Sequence, residues 1–288
     1  MQKITILTHR GLEPSNSEFW PESSFEAFQS HIERGFSIEF DPNFCKDEIV
    51  VSHDSTLKRI TEGKDERNFS ELSINELKFI TYGKEKQGRI PSLSEIFDLI
   101  RESKASSHAL HLKGKYQEKE KIDLLLNVLA MYADTLNKLI LFDIKPETAK
   151  YIKSRFPQLN LVPSVAHYFD IQRYNGLIYN TLLTLEDAIK YKGEGLYNWV
   201  WLDEWDTIDA EGKEKLFYTA ENFKILRDAG FKIALVTPEL HGTSPGLYGG
   251  ESHKHAADKN ILFQRIKEIL ALNPDAICTD YPNEVRNF

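Results

Sequence analysis

The chain carries only two cysteines, Cys45 and Cys278, among its 288 residues, too few for a disulfide framework or a thiolate zinc site. It has no excess of positive charge. Against 44 Asp and Glu stand 36 Lys and Arg, a formal net charge of −8 at pH 7, so nucleic acid is not an expected partner. Any phosphate must then be held by a local group of residues, against a slightly repulsive overall field. No apolar stretch approaches the length of a membrane span. Neither a Gly-x-Gly-x-x-Gly run nor a P-loop occurs, which weakens a nucleotide-binding reading. Repeats and low-complexity tracts are missing as well. The first apolar run, residues 4–8, leads straight into His9 and leaves no room for a secretory leader, so a cytoplasmic location is expected.

What the chain does have is alternation. Eight short β-type runs, at residues 4–8, 37–41, 108–113, 138–143, 160–165, 199–203, 232–236 and 276–279, are separated by amphipathic helical patterns. The helical patterns fall at 24–34, 93–102, 119–133, 147–156, 185–191, 219–229 and 261–270, and Ser92 to Glu95 has capping-box spacing. Eight strands with intervening helices predict an α/β fold, a TIM (β/α)8 barrel, as one domain over residues 1–288. Two segments break the rhythm. Residues 54–90 are polar with apolar spots at Leu57, Ile60, Leu72 and Leu77, and read as an insertion after strand two. Residues 237–260 are rich in Gly, Pro and His and too long for a routine connection, which suggests a functional loop or lid.

The chemistry-bearing residues gather at strand ends, where a parallel barrel places its active site. Glu39 and Asp41 are two apart on a strand and share a face. They could hold a hard divalent cation, form a solvated acidic strand end, or pair with Arg10 and Lys113. His9 and His53 each follow a β-type run and together suit acid and base roles. Arg10 offers a planar fork to phosphate oxygens. His111 and Lys113 repeat the two-residue spacing, so one could complete a metal site and the other neutralise phosphate; the plain alternative is a buried hydrogen-bonded histidine and a snorkelling lysine. Trp201 could pack on an alcohol moiety or fill the core. His241, His253 and His255 could bind a metal, although a solvated polar lid is the simpler reading, and Tyr248-Gly249-Gly250 adds flexibility there.

Together the series His9-Arg10-Gly11, Pro21-Glu22-Ser23-Ser24, Glu39-Phe40-Asp41, Val50-Val51-Ser52-His53-Asp54 and Arg59-Ile60-Thr61 resembles the glycerophosphodiester phosphodiesterases. Ile90-Pro91-Ser92-Leu93-Ser94-Glu95 and the terminal Thr279-Asp280-Tyr281-Pro282 extend the resemblance. It implies a barrel with a small insertion after strand two and cation-assisted cleavage of a small phosphodiester to an alcohol and a phosphomonoester. Carried over by position, His9 and His53 become the acid–base pair, Arg10 and Lys113 the phosphate ligands, and Glu39 and Asp41 metal ligands. Glu22 becomes a supporting or substrate contact.

Three positions depart from the pattern. The family's third metal carboxylate is His111 here, which shifts the expected divalent ion from Ca²⁺ towards Mg²⁺, with Mn²⁺ or Zn²⁺ as further options. The strand-seven motif is Leu235-Val236-Thr237-Pro238, which puts substrate identity in doubt. Ser23 stands in place of an asparagine and could serve as a helix cap. A non-catalytic barrel that binds a phosphate ester, and a lyase that releases a cyclic phosphate, remain the alternatives to hydrolysis.

Overall fold

A computed structural model describes residues 4–209, 211–242 and 253–288. All eight expected strands form: β1 (Thr5–His9), β2 (Ser37–Phe40), β3 (His108–His111), β4 (Leu139–Phe142), β5 (Asn160–Val162 and Ser164–Ala166), β6 (Trp199–Asp203), β7 (Lys232–Val236) and β8 (Ala276–Thr279). Each pairs in parallel with the next, and β8 returns to β1 with Thr5 opposite Ala276. β5 is broken at Pro163, which has no N–H to give a ladder. Its first piece pairs with β4 and its second with β6. The Pro163 carbonyl still accepts from Trp201 N at 3.0 Å, so the ring closes as a TIM barrel.

Period-two alternation divides the core into two layers. Leu7, Ala109, Ile140, Val162, Ala234 and Ala276 fill the barrel interior. Ile38, Phe40, Leu110, Leu141 and Val200 face outward onto the helices. Because Ile38 and Phe40 face out, Glu39 between them must face in, and the ladder sets it beside His9 and Ala109. Helices start where the polar caps stand: Ser92 and Glu95 form a reciprocal capping box before Leu93–Glu102. Before Phe25–Glu33 the cap is Ser24, whose hydroxyl accepts from Ala27 N; Ser23 is not the cap but sits in a left-handed turn at φ 56°.

The insertion begins earlier than its polar composition showed. Straight after Asp41 the chain leaves the barrel as an antiparallel hairpin of Pro42–Phe44 with Ile49–Val51. His53 therefore follows a hairpin strand, not a second barrel strand, and reaches the mouth because the hairpin folds back. Leu57, Ile60, Leu72 and Leu77 are all buried in a small core of the insertion's own, with Val50, Phe69, Tyr82 and Ile90. A short helix, Tyr168–Tyr174, and a five-residue one, Pro282–Arg286, complete the βα units after β5 and β8. In the long segment after β7, His253 is 3 % exposed, which replaces the solvated-lid reading with a packed one. Tyr248-Gly249-Gly250 and the side chain of His241 lie outside the described residues.

Candidate active site at the barrel mouth

The C-terminal ends of the strands open into a cavity of about 570 Å³ lined by His9, Arg10, Glu39, His53, His111, Lys113 and Trp201 among others. Seven of the nine expected site residues thus face one space. Asp41 lies directly behind it, bonded to His111, and Glu22 stands behind Arg10.

Each candidate acid–base histidine is held by an aspartate. His9 Nδ1 donates to Asp280 Oδ1 at 2.8 Å, and His53 Nδ1 to Asp54 Oδ1 at 2.7 Å. That leaves Nε2 of both rings free of these bonds. Burial, reinforced by the Arg10 charge, lowers His9 well below its ordinary pKa. His53 is lowered too, first by burial and then by Lys113 and Arg10. Both rings are therefore neutral at rest. Asp280 is itself supported: its backbone N–H and the Thr279 and Thr237 hydroxyls all donate to Glu239 Oε1, at 3.0, 2.7 and 2.6 Å. Asp54 is braced by Arg59 Nε at 2.6 Å, and Arg59 also pairs with Glu22.

The chain turns out of β1 through Arg10 and Gly11, both left-handed at φ 53° and 69°. Glycine suits its position because a Cβ there would press on Ala27 at 3.1 Å. This turn points the Arg10 amide at Glu39 Oε2, 3.2 Å away. The Arg10 guanidinium lies near Asp41 (3.8 Å) and Glu22 (4.0 Å), too far for hydrogen bonds. Lys113 Nζ is 3.2 Å from Asp41 Oδ1. The pairing of Asp41 with both cations, read as an alternative from the sequence, does occur.

Glu39, Asp41 and His111 present ligand atoms all within 4.8 Å of one another. Burial and the Asp41 charge push Glu39 up to about 8. Asp41 keeps the negative charge of the pair: burial would raise it, but Lys113, His53 and His111 outweigh that and hold it low. His111 Nδ1 is 3.0 Å from Asp41 Oδ1, and its Nε2 is 3.5 Å from Asp143 Oδ2. Despite burial, these two carboxylates raise His111 to about 9. Its ring also stacks on Phe142 (4.5 Å), which stacks on Trp201 (3.8 Å). Trp201 is thus both core filler and cavity wall.

A divalent cation fits this group on two observations. Asp41 Oδ2 is buried with no hydrogen-bond partner, and a Glu39 held near 8 marks two carboxylates placed side by side without enough positive charge between them. Asp143 is the residue the sequence reading missed. It ends the β4 run at the mouth, so the strand-end rule that singled out His9 could have found it. Asp280 and Asp54 had appeared only inside motifs, without the task of holding a histidine.

The sequence profile of the glycerophosphoryl diester phosphodiesterase family matches residues 9–284. The chain belongs to that family. Its activity class is that of a phosphoric diester hydrolase. Among solved structures, a Galdieria sulphuraria protein provisionally assigned as a glycerophosphodiester phosphodiesterase superposes with a TM-score of 0.70 at 23 % identity, covering 100 % of this chain and 98 % of that one. A glycerophosphoryl diester phosphodiesterase of Parabacteroides distasonis gives 0.65 at 17 % identity, over 99 % and 86 %. A phosphodiesterase of Oleispira antarctica, in complex with the product sn-glycerol-3-phosphate, gives 0.64 at 17 % identity, over 98 % and 95 %. At these identities the likenesses show the barrel fold. No curated protein sequence matched. Among the described residues no helix is long and apolar enough to cross a membrane.

Proposed function

We propose that the chain, acting as one catalytic unit, hydrolyses a glycerophosphodiester to an alcohol and glycerol phosphate with a divalent cation, Mg²⁺ first, at Glu39, Asp41 and His111. One observation carries the reading. Arg10 Nε and Nη1 are buried at the cavity without hydrogen-bond partners, and Asp41 Oδ2, without one too, faces that Nε from 3.8 Å. Orphaned donors facing an orphaned acceptor call for an anion and a cation together, which a metal-bound phosphodiester supplies.

Arg10 and Lys113 offset the charge that builds on the phosphoryl oxygens. A bound divalent cation would supply Lewis-acid polarisation of the same group. Of His9 and His53, one takes the proton of the attacking water at Nε2; the other, taking up a proton at Nε2 as the negatively charged substrate enters beside it, gives that proton to the departing alkoxide. Asp280 and Asp54 fix both rings with Nδ1–H turned away from the substrate. Asp143 positions His111: by accepting from Nε2–H it leaves Nδ1 as the ligand nitrogen, a carboxylate–histidine–metal relay. Glu22 holds Arg59 and Arg10 in register.

The test is release of choline or ethanolamine from glycerophosphocholine and glycerophosphoethanolamine after EDTA, then after adding back Mg²⁺, Mn²⁺, Ca²⁺ or Zn²⁺. Turnover should vanish with EDTA and return with Mg²⁺, and His9→Ala and His53→Ala should each lower it by roughly 10²–10⁴-fold. Activity kept in both variants would overturn the acid–base pair. A cyclic phosphate among the products would replace hydrolysis with cyclisation.

A further inference from the structure

His53 is carried by a part of the chain with an apolar core of its own, whereas His9, Arg10 and Lys113 belong to the barrel. Its backbone is tied to the barrel directly: Lys113 Nζ donates to the His53 carbonyl, and Ser52 N to Asp41 O at 3.0 Å. Its ring is held by another route. Nδ1 meets Asp54, Asp54 Oδ2 accepts from Arg59 Nε at 2.6 Å, and Arg59 Nη1 pairs with Glu22 Oε1. The other oxygen of Glu22 lies 4.0 Å from Arg10 Nη1. Charges therefore alternate along Arg10, Glu22, Arg59 and Asp54, from the phosphate ligand to the acid–base ring.

Glu22 stands where the insertion meets the barrel. On the barrel side Ser23 N donates to Arg10 O at 2.7 Å. On the insertion side the Tyr82 hydroxyl donates to Glu22 O at 2.9 Å, and Arg89 N to Glu26 Oε2 at 3.0 Å. Gly83 and Gly88 let the insertion close on this turn, since a Cβ on either would lie 2.9 Å from Pro21 Cγ. Packing on both sides thus sets the reach from Arg59 to Glu22. Burial would raise Asp54, but bonds from His53 and Arg59 hold it below the ordinary carboxylate range, so it remains an anion.

We propose that Arg59 is a positioning residue with two arms: Nε holds the His53 ring through Asp54, and Nη1 neutralises Glu22 so that Arg10 is left to the substrate phosphate. The inference rests on the proposed roles of His53 and Arg10. The first arm follows because an Asp54 released from Arg59 can rotate and take the imidazole with it, and a small misplacement of a reacting group is costly. The second follows from the 4.0 Å gap. Without Arg59, Glu22 keeps Arg10 as its charge partner among the described residues, and a guanidinium drawn to Glu22 has less to offer a phosphate.

Kinetics and calorimetry in saturating Mg²⁺ separate the arms. kcat is measured with glycerophosphocholine, and affinity with sn-glycerol 3-phosphate, which requires no turnover. Referring kcat to the calorimetric stoichiometry counts only folded, binding-competent chains. Arg59→Ala should lower kcat roughly 10–100-fold and weaken binding about fivefold or more. In an Asp54→Asn background the same substitution should lower kcat by less than about threefold, and in a Glu22→Gln background it should leave affinity within about twofold. Losses that simply multiply with those of Asp54→Asn and Glu22→Gln overturn the proposal, because an arginine that only stabilises the fold has no reason to act through either carboxylate. His53→Ala, run alongside, keeps two failures apart. An active His53→Ala overturns the acid–base reading; an inactive one beside an Arg59→Ala of unchanged kcat and affinity overturns only the positioning role.

Discussion

Among the described residues two groups bring carboxylate and histidine ligand atoms within 4.8 Å of one another: Glu39, Asp41 and His111 at the mouth, and Glu204, just after β6, with His253 and His255. Their geometry is alike and their electrostatics are opposite. Burial would raise Glu204, but His253, Arg265 and the backbone N–H groups of Phe217 and Tyr218 hold it at about 2. Arg265 Nη2 lies 3.2 Å from one of its oxygens, and the two amides bond the other. His253 is occupied as well, since its Nδ1 accepts from His255 N. Glu204 is a satisfied anion already paired with an arginine, and it ties the end of β6 to His253 of the long segment and to the helix Lys259–Ala271. Glu39 instead is pushed up to about 8 beside a second carboxylate with an orphaned oxygen. Ligand spacing finds both groups. Only the balance of charge separates a tie from a cation site.

The largest effect that could break this comparison is on stability. Glu204→Gln leaves the buried Arg265 with only the exposed Glu268, 3.5 Å away, as a charge partner, and should cost up to about 3–5 kcal/mol in denaturant unfolding while the folded fraction keeps its turnover and its cation affinity. Next comes Asp41→Asn, which should lower kcat/KM roughly 10²–10³-fold and abolish high-affinity Mn²⁺ binding followed by electron paramagnetic resonance. A stoichiometry of one ion per chain is expected, lost in Asp41→Asn and kept in Glu204→Gln. Two ions per chain would erase the distinction.

A smaller effect sharpens it. Asp143→Asn should weaken cation binding roughly 10–100-fold, read from the same Mn²⁺ titration, because an amide can both donate to and accept from Nε2 and so no longer fixes the His111 tautomer.

The mildest effect is on pH dependence. In the fold Glu39 stands near 8, and Glu239 and Asp280 near 7, all raised by burial from values near 4. A carboxyl raised in the fold keeps its proton longer than the unfolded chain does, so its contribution is complete in acid and lost as pH climbs from about 4 to about 8. His111, raised to about 9, has the same sign, with its contribution lost between 6.5 and 9. Below about pH 6.5 the histidines lowered by burial, His9, His53, His31 and His108, act with the opposite sign, so metal-free protein should become easier to unfold from pH 7 to pH 9, by at most about 1.4 kcal/mol per group and pH unit. Saturating Mg²⁺ should flatten that decline and release protons on binding, since Glu39 and His111 must give theirs up to act as ligands. A decline unchanged by Mg²⁺ would place the cation elsewhere.

How far the sequence could be read follows from which properties are local. The eight strands emerged within a residue or two because apolar periodicity is a property of short segments. Glu39 could be turned inward by counting from Ile38 and Phe40. His53 was assigned to the right place by the wrong route: an antiparallel hairpin and a parallel barrel strand look the same over three apolar residues. His253 looked solvated because a polar segment gives no sign of the buried Glu204 it packs against.

The amino-acid sequence by itself determined the barrel, an insertion after strand two with four apolar spots, and the family, and it singled out nine candidate site residues. All of these follow from composition, period and motif along the chain. Tertiary structure alone decided which carboxylate serves which partner. Asp280 meets His9 across 271 positions, and Asp143 reaches His111 from the neighbouring strand. It also decided that one of two similar His and Glu groups is a charge-balanced tie, and that Arg59 of the insertion pairs with Glu22. Charge balance and cavity shape depend on everything nearby in space, and adjacency in space is what a linear sequence does not record.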